Sequence, residues 1–309
     1  MEISGFLDGI YAIHPDNGRA SNAYLNQVEI DLQRRLGDRA EVCVAVAYDE
    51  SFGIGAATMS YAFRSVEVED GEPSPLISNW TASVGQFDVP FGLDYGRYAS
   101  VDRPSVSEPE VCGATHGNWN DVGLLTTVMT RFGSLDAWTV KGMDSRMWNS
   151  TEEIPEDVAD DDERWLTVES RASGGARLDV TLIPGLGWGA TAARGWAVAG
   201  EPAFTLVGLH AQGKWKSFRL QTEAIRAVKA EHVTPTVVRG CYVEAKQTFD
   251  PVFAVGRWDY VEEGEVNPLR YYNMGGGVTV TDGLECRTEY RIQSPSHTGQ
   301  VLFQVVARF

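Results

Sequence analysis

Residues 284–293 read LECRTEYRIQ, and residues 299–309 read GQVLFQVVARF. In the first stretch Leu284, Cys286, Thr288, Tyr290 and Ile292 alternate with Glu285, Arg287, Glu289, Arg291 and Gln293. In the second, Val301, Phe303, Val305, Ala307 and Phe309 fall on every second position. Successive side chains of a strand point to opposite faces, so a strict period of two means a strand with one apolar and one wet face. The last residues of a soluble domain usually fray. Here the apolar row runs on to Phe309, which predicts a final strand held inside a sheet.

The same period extends backwards through the chain. Residues 41–49, EVCVAVAYD, put Val42, Val44, Val46 and Tyr48 on one side. Residues 24–33 set Tyr24, Val28, Ile30 and Leu32 against Gln27, Glu29, Asp31 and Gln33. Sustained helical periodicity is missing. Short breaks at 36–40, 133–136, 173–176, 212–215, 248–251 and 281–283, with a looser one near 69–78, read as tight turns. Longer breaks at 14–22, 49–56, 88–119, 145–163, 185–200, 228–235, 262–268 and 294–298 read as loops. Seven turns alternating with eight loops separate about sixteen strands, with both chain ends on the turn side. This alternation belongs to a transmembrane antiparallel β-barrel with short periplasmic turns and long extracellular loops. A soluble sandwich or propeller has no need to sort its connections by length, and no blade-length repeat is present. The expectation is a single all-β barrel domain over 1–309, whose last strand pairs with the first, MEISGFLDGIYAI, because a sheet in lipid can leave no edge.

Composition narrows the function. Asp plus Glu outnumber Lys plus Arg by 43 to 26, a formal charge of −17. No basic stripe is available for nucleic acid. No apolar run is long enough for a membrane helix. The N-terminus carries no signal-peptide pattern, so an exported protein would be read here as a mature chain with an added Met1. Cys43, Cys112, Cys241 and Cys286 have no metal spacing and read as isolated thiols. No metal or cofactor is assigned.

VGQFDVPFGLDYGRYASVDRPSV (84–106) resembles a GxFxxPFG segment, with its Tyr- and Arg-bearing loop, of the outer-membrane porin family that includes phosphate-selective porins of Gram-negative bacteria. AYLNQVEIDLQRRLGDRAEVCVAVA (23–47) is similar to that family's first hairpins, and LECRTEYR leading to a terminal Phe is similar to its finish. The resemblance implies a water-filled outer-membrane channel for passive diffusion of ions and small polar solutes, anion or phosphate selective, assembled as a homotrimer among outer-membrane lipid and lipopolysaccharide. It also implies that loop 88–119 folds into the pore, with Arg97 and Arg103 facing anions and Asp94 and Asp102 setting the opposing field.

A barrel of this size is too wide for its own side chains to fill, so the inward face should be polar. The alternation assigns Arg219, Gln221, Glu223, Glu244, Lys246, Arg257, Asp259, Glu285, Arg287, Glu289 and Arg291 to that lining, most of them as cross-strand ion pairs. The chain has only five lysines, which departs from a phosphate-selective member. The acidic run 152–163, EEIPEDVADDDE, reads as a solvated external face or as a bridge through divalent cations to lipopolysaccharide. An enzyme of lipase or protease type is the alternative, along with a plugged structural or adhesive barrel. Of the five histidines, His14, His116, His232 and His297 fall in loops, while His210 is read at a strand end near the interface. The cluster around His116, ATHGNWND, is the one place where a catalytic group would be sought.

Overall fold

The structure is a computed structural model that describes residues 1–14, 21–49, 51–66, 75–97, 99–143, 170–196, 202–230, 235–264 and 267–309. The acidic run 152–163 and His232 lie outside the described residues. Sixteen antiparallel strands close into one ring: β1 (Glu2–Ile13), β2 (Asn22–Arg35), β3 (Ala40–Asp49), β4 (Ser51–Ser65), β5 (Ile77–Asp88), β6 (Asn120–Thr130), β7 (Gly133–Val140), β8 (Ala172–Ile183), β9 (Leu186–Trp196), β10 (Pro202–Trp215), β11 (Phe218–Lys229), β12 (Thr236–Thr248), β13 (Val252–Glu263), β14 (Leu269–Thr281), β15 (Leu284–Ser294) and β16 (Thr298–Arg308). Each strand pairs with its sequence neighbours, and β1 pairs with β16 from Phe6↔Arg308 to Ile13↔Val301. Phe309 completes the seam by exchanging two 3.0 Å backbone hydrogen bonds with Gly5. With no edge left, every strand can be satisfied without water.

The alternation resolves into two faces as expected. Phe303, Val305 and Phe309 are exposed on the outside, while Leu302, Gln304 and Val306 are buried inside. Exposed Leu7, Tyr11, Val84, Leu124, Leu178, Leu209 and Met274 continue the outer belt around the ring. Aromatic contacts decorate it toward the turn side, including Phe63 against Trp80 at 4.9 Å. Apolar surface on this scale is what a bilayer covers.

Several breaks fall elsewhere than expected. Residues 173–176 are not a turn: they lie within β8, and the actual turn is at residues 184–185. Gly175 is there for space, since a Cβ on it would sit 2.4 Å from the Trp138 ring. The true turn glycine is Gly185, with φ +81. Residues 185–200 are consequently not a loop but mostly strand β9. Residues 49–56 are also not a loop: β3 and β4 are separated by Glu50 alone, and Gly55 makes room for Ala47 across the pair. The turns read at 133–136 and 212–215 move to 131–132 and 216–217.

Two bulges in β4, between Ala45/Val46 and between Ala62/Arg64 of the paired ladders, interrupt its alternation. Another between Asp8 and Gly9 places Tyr24 opposite the inward Ile10, so Tyr24 shares the face of Gln27 rather than that of Val28. An extra residue in one strand flips the faces beyond it.

The apolar core lies inside the ring. Trp138, Ala193, Phe204, Leu206, Ile225, Val238 and Tyr242 form an inward apolar sector near the loop end of β7–β12. Residues 89–119, between β5 and β6, fold back and lay Val89, Phe91, Val111, Cys112 and Trp119 on that sector.

Candidate functional site

Loop 89–119 enters as an extension of β5 and is pinned at its base by Val89 N donating to Trp119 O at 2.8 Å. Its first half holds two short 3-10 turns, Asp94–Arg97 and Ser100–Asp102, and its second half one short helix, α1 (Glu110–Thr115). Gly92, with φ +66, makes the sharpest approach: a Cβ there would lie 2.0 Å from Glu223 Oε1. Only glycine tolerates both that backbone and that contact. Next to it, Leu93 N donates to Glu223 Oε1 at 3.1 Å and Gly92 N donates to Thr191 at 3.3 Å.

Further along, the wall supplies ions to the loop backbone. Arg257 of β13 donates to Ser107 O at 2.7 Å, Ser107 Oγ at 2.8 Å and Glu108 O at 2.8 Å, while its Nε holds Asp259 at 2.9 Å. Asp259 also accepts from Asn273 at 2.7 Å and from Glu110 N at 3.2 Å. Glu289 of β15 accepts from Val106 N at 2.8 Å and Ser107 N at 3.2 Å, and from the Ser107 hydroxyl. Glu244 accepts from Ser105 Oγ at 2.7 Å and from Gln221 at 2.6 Å. Arg287 donates to Ser100 O at 2.8 Å and Val101 O at 2.9 Å, and also holds Glu285. Arg291 pairs with Glu110 at 2.5 Å. Buried polar groups need such partners, and Arg257, Asp259, Glu289, Glu244, Arg287 and Arg291 each find at least one of theirs in the loop.

Of the inward residues expected to line the pore, Glu223, Arg257, Asp259, Arg287 and Glu289 are therefore buried beneath the loop, between 0% and 6% exposed. Glu285 and Arg291 are half-buried at its margin. Arg219 is half-buried near the turn end of β11, among the residues lining a small cavity with Thr181, Gln212 and Lys214. The four constriction candidates separate. Asp94 is 3% exposed, turned toward the Glu223 side of the loop. Asp102 is exposed and pairs with Arg308 at 3.3 Å. Arg103 is half-buried and pairs with Glu108 at 3.6 Å. The Arg97 side chain lies outside the described residues.

The loop crosses from β11–β16 toward β2, where Ser100 N donates to Gln27 Oε1 at 2.9 Å. The inward faces of β2 and β3 beyond that point carry Glu29, Asp31 and Glu41, all partly exposed. Asp31, Asp88 and Asp102 stand close enough to Glu29 to act on its charge. Arg35 is the basic residue on that face, paired with Glu41 at 3.9 Å with its side chain 84% exposed.

Sequence reasoning missed a second inward cluster. Arg177 pairs with Asp179 at 3.0 Å and Asp136 at 3.8 Å beneath the Tyr95 ring, 4.9 Å away. His210 joins it, its Nε2 2.7 Å from Asp179. His210 is not at a strand end near the interface: it lies inside β10, buried and inward, because the strand runs on through Gly213 to Trp215. Gly189 on β9 leaves the space its ring fills. His116 caps α1, fully buried, with Phe91 at 4.8 Å and the Thr115 hydroxyl at 3.0 Å from Nδ1. Burial pushes its pKa down to about 3, so it stays neutral. No carboxylate or serine bonds to it among the described residues, so no acid–base pair is assembled around it. Burial also raises the Cys112 thiol well above its ordinary range, which keeps it unreactive.

No protein family and no curated sequence matches the chain. Solved structures do. The anion-selective porin from Comamonas acidovorans superposes with a TM-score of 0.67 at 10% identity, covering 99% of this chain and 98% of that one. The outer-membrane channel DcaP of Acinetobacter baumannii gives 0.66 at 10% identity, over 100% and 96%. The trimer form of OmpT, an outer-membrane protein of Vibrio cholerae, gives 0.67 at 10% identity, over 100% and 98%. The chain has the sixteen-stranded barrel fold of outer-membrane porins. At this identity the likeness is one of fold.

Proposed function

We propose that the protein is an outer-membrane porin of a Gram-negative bacterium, a water-filled channel through which ions and small polar solutes diffuse passively. The observation that carries this reading is the inward loop, tied to one side of the wall by buried ions at Glu223, Glu244, Arg257, Asp259, Arg287 and Glu289. A loop held to one wall narrows a barrel without filling it, and the opposite β2–β3 wall keeps partly exposed polar side chains. The passage is set by the loop edge at Asp102 and Arg103 against Glu29 and Asp31, while Asp94, buried on the wall side of the loop, stands back from it.

Charge points to cations. The inward arginines at 177, 257, 287, 291 and 308 are paired with carboxylates or spent on loop carbonyls. The acids of β2 and β3 have fewer basic partners, so the free face is acidic, and rings or rows of carboxylates favour cations. The second reading is anion preference, favoured by Arg103 at the loop edge and by the likeness of fold to the anion-selective porin of Comamonas acidovorans. Current through planar bilayers separates a channel from a plugged barrel, and the reversal potential in a salt gradient gives the sign. Lipid or peptide hydrolysis by the refolded protein would favour the enzyme class instead. OmpT has been solved as a trimer, which supports a homotrimer here. Lipopolysaccharide is the expected neighbour at the loop end.

A further inference from the structure

Four arginines face away from the lumen on one side of the ring: Arg194 on β9, Arg226 on β11, Arg239 on β12 and Arg270 on β14. Their strand neighbours Ala193, Ile225, Ala227, Val238 and Tyr271 are buried inward, so the arginines point outward, and all four are exposed. Arg226 and Arg239 are direct cross-strand partners. Arg239 is held by Glu262 of β13 at 2.7 and 3.1 Å, and Glu262 also accepts from Tyr260 at 2.7 Å. Among the described residues, Arg194, Arg226 and Arg270 have no carboxylate partner. Four guanidiniums against one carboxylate leave a net +3 on the outer face of a chain whose formal charge is −17. No other Lys or Arg among the described residues faces outward in the loop-side half of a strand.

Arginine on a lipid-facing wall is unfavourable by about 2–4 kcal/mol at the bilayer midplane and close to neutral at its interface. Arg226 and Arg239 lie three residues from the loop-side strand ends, Lys229 and Thr236. That is roughly 7–10 Å below the rim for a tilted strand, the level of headgroups rather than acyl chains. Like charges placed directly opposite one another repel unless an anion lies between them. Guanidinium forks suit phosphate oxygens: Arg226 has both parallel N–H donors to offer, and Arg239, with Nε and Nη2 on Glu262, adds its Nη1. Tyr260 and the exposed Trp196 beside the row supply the amphipathic rings found where headgroups meet acyl chains.

We infer that the outward arginine row on β9–β14 is a binding site for the phosphate of a phosphorylated lipid headgroup in the outer leaflet, centred on Arg226 and Arg239. The inference rests on the proposed membrane location but not on conduction through the lumen. The test uses the full refolded chain in detergent, with native mass spectrometry as the readout. The probes are a bisphosphorylated lipid A, the same lipid without phosphates, and inorganic phosphate. In Arg226→Gln/Arg239→Gln, retention of the phosphorylated lipid should fall about tenfold. Arg34→Gln, on the outward face near the turn side, should leave it unchanged, and single-channel conductance should match wild type in both variants. Equal retention by the double variant overturns the inference. So does equal binding of the dephosphorylated lipid, displacement by inorganic phosphate, or a changed subunit count with lipid retention intact, since the last would make the row an interface between copies. A wild type that binds the lipid but passes no current would sink the channel reading and leave this one standing.

Discussion

Arg257→Met removes the cation at the centre of the loop's seat while keeping most of the side-chain volume. In the wild type its guanidinium is 1% exposed and makes three donations to Ser107 and Glu108 plus the pair with Asp259. Charged hydrogen bonds of this kind contribute about 1.5–3 kcal/mol each. Deleting one partner of a buried ion pair costs about 3–5 kcal/mol, because the other charge is stranded. The two estimates describe the same event, so a loss of about 3–5 kcal/mol is expected rather than their sum. Asp259, with no exposure, would keep only Asn273 and Glu110 N. The loop would not leave, because Glu289 still holds residues 106–107 and Arg287 still holds residues 100–101. Urea unfolding in phospholipid vesicles, followed by tryptophan fluorescence, should show the stability loss. Bilayer recordings should show a noisier open current as the middle of the loop loosens. Adding Asp259→Asn should recover about 2 kcal/mol, since the charge stranded at Asp259 is then gone, while Glu244, 3.7 Å from Arg257 in the wild type, keeps Ser105 and Gln221. If Arg257→Met stays within about 1 kcal/mol of wild type and its current is as quiet, the ionic seat is not what holds the loop.

Three further outcomes follow from neighbouring positions. Gly92→Ala forces a Cβ onto the Glu223 carboxylate at a positive φ, and should destabilise by about 1–3 kcal/mol in the same unfolding assay. Glu29→Gln with Asp31→Asn should shift the reversal potential toward anions with little change in stability; an unchanged potential would place the selective passage elsewhere. His116 has a folded pKa of about 3 against an ordinary 6.5. Above pH 6.5 it is neutral whether folded or not; below that only the unfolded chain takes the proton, so stability falls steadily toward pH 3. The loss should be roughly 2 kcal/mol at about pH 5. His116→Leu should flatten that part of the stability curve, and a slope identical to wild type would show that the loop seat opens to water.

Wherever a strand had one wet and one greasy face, its residues could be assigned from order alone. The outward row from Val301 to Phe309 and the inward rows from Arg219 to Arg291 are examples. Legibility failed where glycine carried two meanings. Gly175 and Gly189 are empty space left for Trp138 and His210, whereas Gly185 is a real turn, and only the partner across the ladder tells them apart. Bulges blurred β4 and reversed Tyr24 for the same reason: pairing is a property of two strands. At the site, the long loop and its charged neighbours were visible as separate lists. What joined them was not. The buried side of Arg257 and Glu289 belongs to backbone atoms of the loop, and backbone atoms leave no signature in the order of residues. The row at Arg226 and Arg239 was hidden likewise, since two arginines thirteen positions apart become neighbours only through the register of β11 and β12.

The seam between β1 and β16 bears on how the molecule is made. Residue 6 finds its partner at residue 308, so no part of the ring is finished until nearly all of the polypeptide has been delivered. Until then the growing sheet has two raw margins that would pair with any passing chain. Closure is thereby the last pairing the sheet can make: hairpins between sequence neighbours can form earlier, but the first and last strands keep an unpaired margin until they meet.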